Sequence, residues 1–421
     1  MPPIDAALPA HPMQCPHCDL ELGLPALQAG QLARCPRCND VLCRIPLHAT
    51  DSTLAYALAA MIFLCLSFAF PLLGMTVEGV HQQITIFSSA EILFHEDFVL
   101  IADLLLLVLL FTPALFLAAT FYVYLALRLN ARWPGLRAAA QLAASSRPWM
   151  MVDVFALAIL VSMIKLASLA EIHFGLSFWS LLLFSLSLTK TASLVDKHWL
   201  NFKLAQLYGD DPTQPWTDGE QSCPACDKRN PKDARRCVRC AHRLSTRRPH
   251  SLQLTVGLLL TAAILYIPAN LYPIMLTESL RSSEASTILE GVVIMWNIGS
   301  YPIALIIFIA SVLVPIAKFA ALSLLCIAAQ LRKGAGETVS ARRYTQLYRV
   351  TELIGRWSMV DVFVVAILVA LVRMGKIMSV YPGVAALSFT GVVVFTMLAA
   401  MSFDIRLIWD KRVNKENPAH D

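Results

Sequence analysis

The chain alternates long apolar runs with shorter polar ones. Apolar stretches cover about 54–74, 98–127, 150–170 and 176–195. After a polar, basic interval at 197–250 they resume at about 252–276, 298–329, 358–378 and 383–406. Each can cross a bilayer as a helix, because about 20 residues rising roughly 1.5 Å each span a hydrocarbon core of about 30 Å. The pattern predicts an all-α polytopic membrane protein with eight transmembrane helices in two groups of four, over 50–200 and 250–408. Each group follows a small cysteine-rich segment, 13–46 and 218–245. Residues 1–12, rich in Pro and Ala, read as a disordered tail, and 409–421 as a polar tail.

The second group repeats the first. Residues 149–160 read WMMVDVFALAIL and residues 357–368 read WSMVDVFVVAIL, identical at nine of twelve positions with an offset of 208. Cys15 and Cys18 match Cys223 and Cys226 at the same offset. From Cys35/Cys237 through Thr53/Thr255, Pro71/Pro273 and Pro113/Pro315 the offset is 202, and it returns to 208 at Trp149/Trp357. The halves thus differ by two six-residue insertions, which belong in loops. Four spans per half bring both halves into the membrane from the same side, so the repeats are parallel and related by an axis near the membrane normal. Between the first and second spans, Thr85-Ile86-Phe87 and Thr287-Ile288-Leu289 predict short strands. Between the third and fourth spans, tight turns are predicted near Gly175 and at Tyr381-Pro382-Gly383.

Composition agrees with a membrane protein. Hydrophobic residues make up 57% and charged ones 15%, against roughly 45–50% and 25% in soluble domains. The net charge of +5 raises nucleic acid as a partner, but its distribution argues otherwise. If both cysteine segments lie on one side, that side holds 29 of the 34 Lys and Arg, and the opposite loops hold only Arg281. This asymmetry is a topology signal that places both cysteine segments and both termini in the cytoplasm, and it leaves no need for nucleic acid. The first 50 residues contain no apolar core of a signal peptide.

Eight of the eleven cysteines form Cys-x-x-Cys pairs: Cys15, Cys18, Cys35 and Cys38, then Cys223, Cys226, Cys237 and Cys240. Two such knuckles give the tetrahedral thiolate set that zinc prefers. Each set predicts one structural Zn2+, two per chain, with rubredoxin-like iron as the rival. A ribbon of about 30 residues has too little core to fold alone, so the metal supplies folding energy. Disulfides do not suit a reducing compartment, and thiol redox chemistry needs a lone exposed pair.

Ionisable residues inside the apolar runs are costly, so they are candidates for function. Lys165 and Arg373 are equivalent, each 16 residues past its Trp and hence about 24 Å along the helix. Lys376 lies one turn further. Asp103 can neutralise Lys165, but its counterpart in the second half is Leu305. Arg373 and Lys376 are therefore candidates to grip a lipid phosphate, with Lys165 as a lesser one. Asp153 and Asp361, one turn into their helices, either stabilise helix N-termini or carry protons. Lys318 has no partner visible in the sequence. No Walker A pattern, Gly-rich phosphate loop or hydrolase constellation is present, so an enzyme is not expected.

Two cysteine ribbons, each leading into four helices with a Trp-x-Met-Val-Asp motif on the third, resemble the paraquat-inducible protein A family. The most specific stretches are GRWSMVDVFVVAILVALVRMG (355–375), IPANLYPIM (267–275) and STILEGV (286–292). Within the family the chain is closer to paraquat-inducible members than to their lipid-transport relative LetA. The resemblance implies a bacterial inner-membrane protein that loads or unloads phospholipid for a periplasmic MCE-domain tunnel protein, in support of envelope integrity and stress resistance. A proton-coupled exporter of small molecules using Asp153 and Asp361, and a membrane redox or metal sensor acting through the ribbons, are the alternatives.

Overall fold

A computed structural model of the chain describes residues 7–77, 80–95, 98–166, 171–214, 220–279, 282–299, 301–331, 338–371 and 378–410. The first ribbon is two antiparallel hairpins, β1 (His11–Gln14) with β2 (Glu21–Leu24), and β3 (Leu32–Arg34) with β4 (Val41–Arg44). It starts earlier than the sequence suggested. Leu8 pairs with Leu27 and is fully buried, so residues 8–12 belong to the ribbon and not to a tail. An apolar side chain with a place in a core holds the segment down.

The first half continues with α1 (Ala49–Ala69), β5 (Leu73–Val77), β6 (Val80–Ile84), α2 (Ile86–His95), α3 (Val99–Leu106), α4 (Thr112–Arg128), α5 (Leu136–Ser146), α6 (Val152–Leu166), β7 (Glu171–Phe174), α7 (Leu176–Leu194) and α8 (Lys197–Leu207). The second ribbon has one hairpin, β8 (Glu220–Ser222) with β9 (Arg229–Pro231). The second half follows as α9 (Ser251–Leu271), β10 (Met275–Ser279), β11 (Ser282–Ser286), α10 (Ile288–Asn297), α11 (Tyr301–Phe308), α12 (Val314–Leu331), α13 (Thr338–Trp357), α14 (Val360–Leu371), β12 (Met378–Pro382) and α15 (Val384–Ser402).

Among the described residues, seven helical stretches are long and apolar enough to cross a membrane: Ala49–Ala69, Val99–Arg128, Leu136–Ile164, Ser251–Leu271, Ala304–Leu331, Ala341–Leu371 and Val384–Ser402. An eighth is reached if α7 and α8, bent by 61°, count as one span. The serines at 177, 180, 185 and 187 make α7 less apolar than its neighbours. They stay bonded: the Ser177 hydroxyl donates to the Phe70 carbonyl at 2.6 Å, closing α7 onto α1.

Equivalent elements recur in the two halves. A five-residue π-helical turn precedes each buried proline, Leu107–Phe111 before Pro113 and Ile309–Leu313 before Pro315. The missing proline N–H and the ring's bulk are absorbed by this widened turn. Each first span starts after a histidine in the left-handed region, His48 and His250. At the centre α6 packs on α14, and the matching Phe155 and Phe363 meet edge to face with centroids 5.4 Å apart. Every described side chain of α14 from Val362 to Leu371 is buried, as befits a helix apolar on all sides.

The loop expectations need correction. Thr85-Ile86-Phe87 and Thr287-Ile288-Leu289 are not strands but helix starts. Thr287 accepts from the Glu290 amide while Glu290 accepts from the Thr287 amide, a capping box. Thr85 and Ser88 bond in the same way. The strands lie just before them. They join a third strand where tight turns were expected, giving antiparallel sheets of order β6-β5-β7 and β11-β10-β12. Gly175 and Gly383 sit where strand passes into helix. A Cβ at either would lie 2.0 Å from a backbone oxygen, that of Pro71 or Pro273, so only glycine permits the close approach.

Candidate functional site

The four cysteine sulfurs of each predicted set converge, all within 4.8 Å of one another. The pairs Cys15–Cys38, Cys18–Cys35, Cys223–Cys240 and Cys226–Cys237 are each 3.6 Å apart. A tetrahedron of metal–sulfur bonds of about 2.3 Å has sulfur–sulfur edges of about 3.8 Å, and a disulfide needs about 2.05 Å. The donor set fits a metal ion and all four positions come from protein, which leaves none open for substrate. The knuckles are built alike. The residue after each second cysteine, Asp19, Asn39, Asp227 and Ala241, has φ between 53° and 59°, and its amide bonds back to the first cysteine's carbonyl.

Thiols this close cannot all ionise unaided. A hydrogen bond from Cys15 holds Cys38 low, and one from Cys226 holds Cys223 down at about 5. Bonds to Cys18 and then Cys38 push Cys15 up, and the bond to Cys223 pushes Cys226 up. A bound cation removes this conflict, so metal uptake releases protons.

Each ribbon docks mainly through ion pairs that the sequence did not single out. Asp19, in the first ribbon, pairs with Arg247 and Arg406, and Asp40 with Arg349 at 3.0 Å. The Arg37 guanidinium lies 4.6 Å from the Trp409 ring centroid. These partners belong to the second half or its approach. The second ribbon instead rests on the end of the first half. Asn201 of α8 donates to Asp227 at 2.9 Å. Asp210 gathers Arg239 at 2.7 Å, Lys228 at 3.5 Å and Arg137 at 3.7 Å. Burial opposes the Asp210 charge, but Arg239 and Lys228 outweigh it and hold the carboxyl below its usual range. The first ribbon also meets α8, where the Arg44 amide donates to Asp196 at 2.9 Å, so α8 touches both ribbons. Read only as a topology signal, the basic residues gave no hint of this docking; Asp beside Cys-x-x-Cys was the available clue.

The intramembrane candidates divide. Asp361 accepts from the Ser311 hydroxyl at 2.6 Å, which ties α14 to the second half's π-helical turn. Lys318 is 2% exposed, and its Nζ has no hydrogen-bond partner among the described residues. Asp153 and Asp103 both lie on exposed faces. Lys165 falls in α6, and its side chain, with the expected pairing to Asp103, lies outside the described residues. Arg373 and Lys376 lie outside the described residues altogether. Ser311 escaped the sequence reading; its signal was a hydroxyl at the position matched by Leu109 in the first half.

Comparison with known proteins places this arrangement. The chain is 40% identical over 411 residues, 96% of each chain, to "Intermembrane transport protein PqiA" of Escherichia coli strain K12. It is 29% identical over 405 residues to "Lipophilic envelope-spanning tunnel protein A" of the same strain, covering 94% of this chain and 91% of that one. A "Probable intermembrane transport protein" of Haemophilus influenzae is 27% identical over 408 residues, 94% of this chain and 95% of that one. No solved structure matches. Two of these relatives are named for intermembrane transport and one for an envelope-spanning tunnel; this chain is a member of a transport-protein family and not an enzyme. The model of the family described as paraquat-inducible protein A matches residues 50–204 and 252–412, and the chain belongs to that family.

Proposed function

We propose that the chain is the inner-membrane subunit of an intermembrane lipid-transport system. It loads or unloads phospholipid for a periplasmic MCE-domain tunnel protein. The observation that carries this reading is the near full-length likeness to two proteins named for transport between membranes and for an envelope-spanning tunnel. Both ribbons and both termini face the cytoplasm, as the 29 of 34 basic residues on that side indicate. The halves are parallel four-helix repeats, a reading supported by the contact of the equivalent Phe155 and Phe363. Each ribbon holds one zinc in a structural role. Arg373 and Lys376 bind the lipid phosphate, Arg by paired hydrogen bonds, with Lys165 contributing less.

Mass spectrometry of lipid and metal co-purifying with the intact protein tests this reading. Two zinc ions and bound phospholipid are expected, and Arg373→Ala should lose lipid and complementation of a deletion strain while keeping zinc. Full lipid occupancy in Arg373→Ala would remove that residue from the site. A second reading has its own support in the Ser311–Asp361 bond. Proton-linked transport would run through Asp361 rather than the exposed Asp153. Transport that continues after the proton gradient is collapsed would dismiss it.

A further inference from the structure

The two ribbons meet α8 at a pair of histidines separate from both cysteine sets and from the polar groups of the membrane region. His11, in β1, is 5% exposed. Its Nε2 lies 2.8 Å from Nε2 of His198 in α8. The ring centroids are 5.1 Å apart and the planes differ by 13°. The centroid distance exceeds the nitrogen distance by roughly twice the radius of an imidazole, so the rings meet end to end. Each Nε2 aims its lone-pair direction along the line that joins them.

The far ends of the rings dictate what lies between. Nδ1 of His11 is 2.8 Å from the Pro9 carbonyl. A carbonyl only accepts, so this nitrogen carries a hydrogen, and neutral His11 has a bare Nε2. Nδ1 of His198 faces the Asp227 carboxylate at 3.3 Å, so it too carries a hydrogen. Two neutral rings in these tautomers would therefore point lone pairs at each other. The contact requires one more proton, on His198 Nε2 and donated to His11 Nε2. The gap is too short for a metal ion on the same line, which would need about 4 Å between nitrogens.

We propose that His11 and His198 form a one-proton latch, which holds the first ribbon against α8 and the second ribbon only while the pair carries a single positive charge. A second proton sets imidazolium against imidazolium; loss of the shared proton sets lone pair against lone pair. The surroundings favour the asymmetric state. Burial lowers the pKa of His11; the Pro9 carbonyl and Asp227 oppose this, but His198 and the positive Arg229 of the second ribbon add to the lowering, and the net shift is down. Burial also opposes charge on His198, but Asp227, with Asp196 beyond it, outweighs burial and the nearby Lys197 and raises its pKa. The sign follows for each ring. The contribution of His198 is present below its unfolded pKa and is lost as pH rises through its raised folded value. That of His11 is present above its unfolded pKa and is lost as pH falls through its lowered folded value. The latch thus closes in a window around about pH 6.5 and opens on both sides.

The alkaline limb is the decisive one, because acid also strips metal from cysteine. Amide hydrogen exchange of residues 8–14 is followed in the full-length zinc-loaded protein from about pH 6.5 to about pH 9, corrected for intrinsic rate, with zinc measured alongside. Protection should fall about tenfold across that range with zinc retained. In His198→Gln, whose amide donates without titrating, protection should stay level. Constant wild-type protection, or a fall that His198→Gln shares, overturns the latch. A nitrogen-15 histidine titration of the wild type decides the case where the variant folds poorly. One ring should titrate above and one below the ordinary value of about 6.5, and two ordinary, independent rings overturn the proposal.

Discussion

The two halves of the membrane region differ at matched interior positions: the second half buries a cation and a hydroxyl where the first half buries carbon. Asp103 and Asp153 are exposed, whereas Ser311 and Lys318 are 3% and 2% exposed. At the matching positions the first half has Leu109 and Phe116. Burying a hydroxyl and an ammonium in a bundle is costly. An apolar residue at each place is demonstrably compatible with the same frame, because the other half has one. The comparison teaches that the halves, alike in their elements, differ at these two positions, where the second half buries a hydroxyl and a cation and the first half buries carbon.

The largest effect should come from the shared scaffold. Gly175→Ala and Gly383→Ala each force a Cβ to 2.0 Å from a backbone oxygen. Backbone cannot retreat as a flexible side chain can, so each should cost more than about 4 kcal/mol. Folded yield and thermal unfolding in detergent check this. Equal losses support a common frame; tolerance of one and not the other would break the comparison at its base.

Next comes the polar interior. Lys318→Met removes a buried cation, so the fold should gain about 1–3 kcal/mol. If the second half carries the task, transport should nevertheless fall roughly tenfold to hundredfold. Asp103→Leu, which installs the second half's residue, should change transport by less than about threefold. Reconstituted transport and complementation measure both. A Lys318→Met variant that transports normally would reduce the asymmetry to sequence drift.

Much of this was legible in the sequence, and the exceptions have physical causes. Apolar runs and cysteine spacing give helices and metal sets directly, because bilayer thickness and tetrahedral sulfur geometry tolerate few alternatives. The sheets opposite the ribbons were misplaced by a few residues. β-branched Thr85-Ile86 and Thr287-Ile288 suggested strands, yet the threonines cap helices, and Thr287 with Glu290 was a readable capping box. The third strands were missed because Gly175 and Gly383 look like turn residues when their purpose is close backbone approach. Polar α13 and short α8 fell between the apolar runs. Ribbon docking depends on pairs such as Asp40 and Arg349, over 300 residues apart, which no local pattern can join.

The two ribbons offer a second comparison, with a smaller expected effect. The first ribbon's cysteines share a core with Leu8, Leu24, Leu27 and Ile45, continuous with the membrane helices. The second ribbon's core is Cys223, Cys226, Cys237 and Leu244, with Cys240 only partly buried. With so thin a core, the proposed metal would be most of what the second ribbon has to fold on. Chelator should strip it first, and so should acid. Metal-binding thiolates must be deprotonated, so affinity falls as pH falls. Stoichiometry should step from two metals to one before reaching none, with exchange rising at 220–244 before 8–45. Simultaneous loss from both sets would erase the distinction.

The smallest effect concerns a single backbone angle. In three of the four knuckles the left-handed residue is Asp19, Asn39 or Asp227, types that tolerate positive φ. Asp19 also pairs with Arg247, and Asp227 accepts from Asn201. In the fourth it is Ala241, at φ 55°. Alanine there suffers the Cβ–carbonyl clash of the left-handed region, worth about 1–2 kcal/mol, with no side-chain bond in return. Ala241→Gly relieves the clash but gives the unfolded chain more freedom, so the net gain should be about 0.5–1 kcal/mol. With the proposed zinc bound, the gain should read out as slower transfer of the metal to a competing chelator, by about two- to fivefold. Asn39→Gly, the control in the first ribbon, should change nothing of that size, since asparagine already accepts the angle. If Ala241→Gly leaves the transfer rate unchanged, strain in the fourth knuckle is not what separates the weaker ribbon from the stronger one, and its thin core must account for the whole difference.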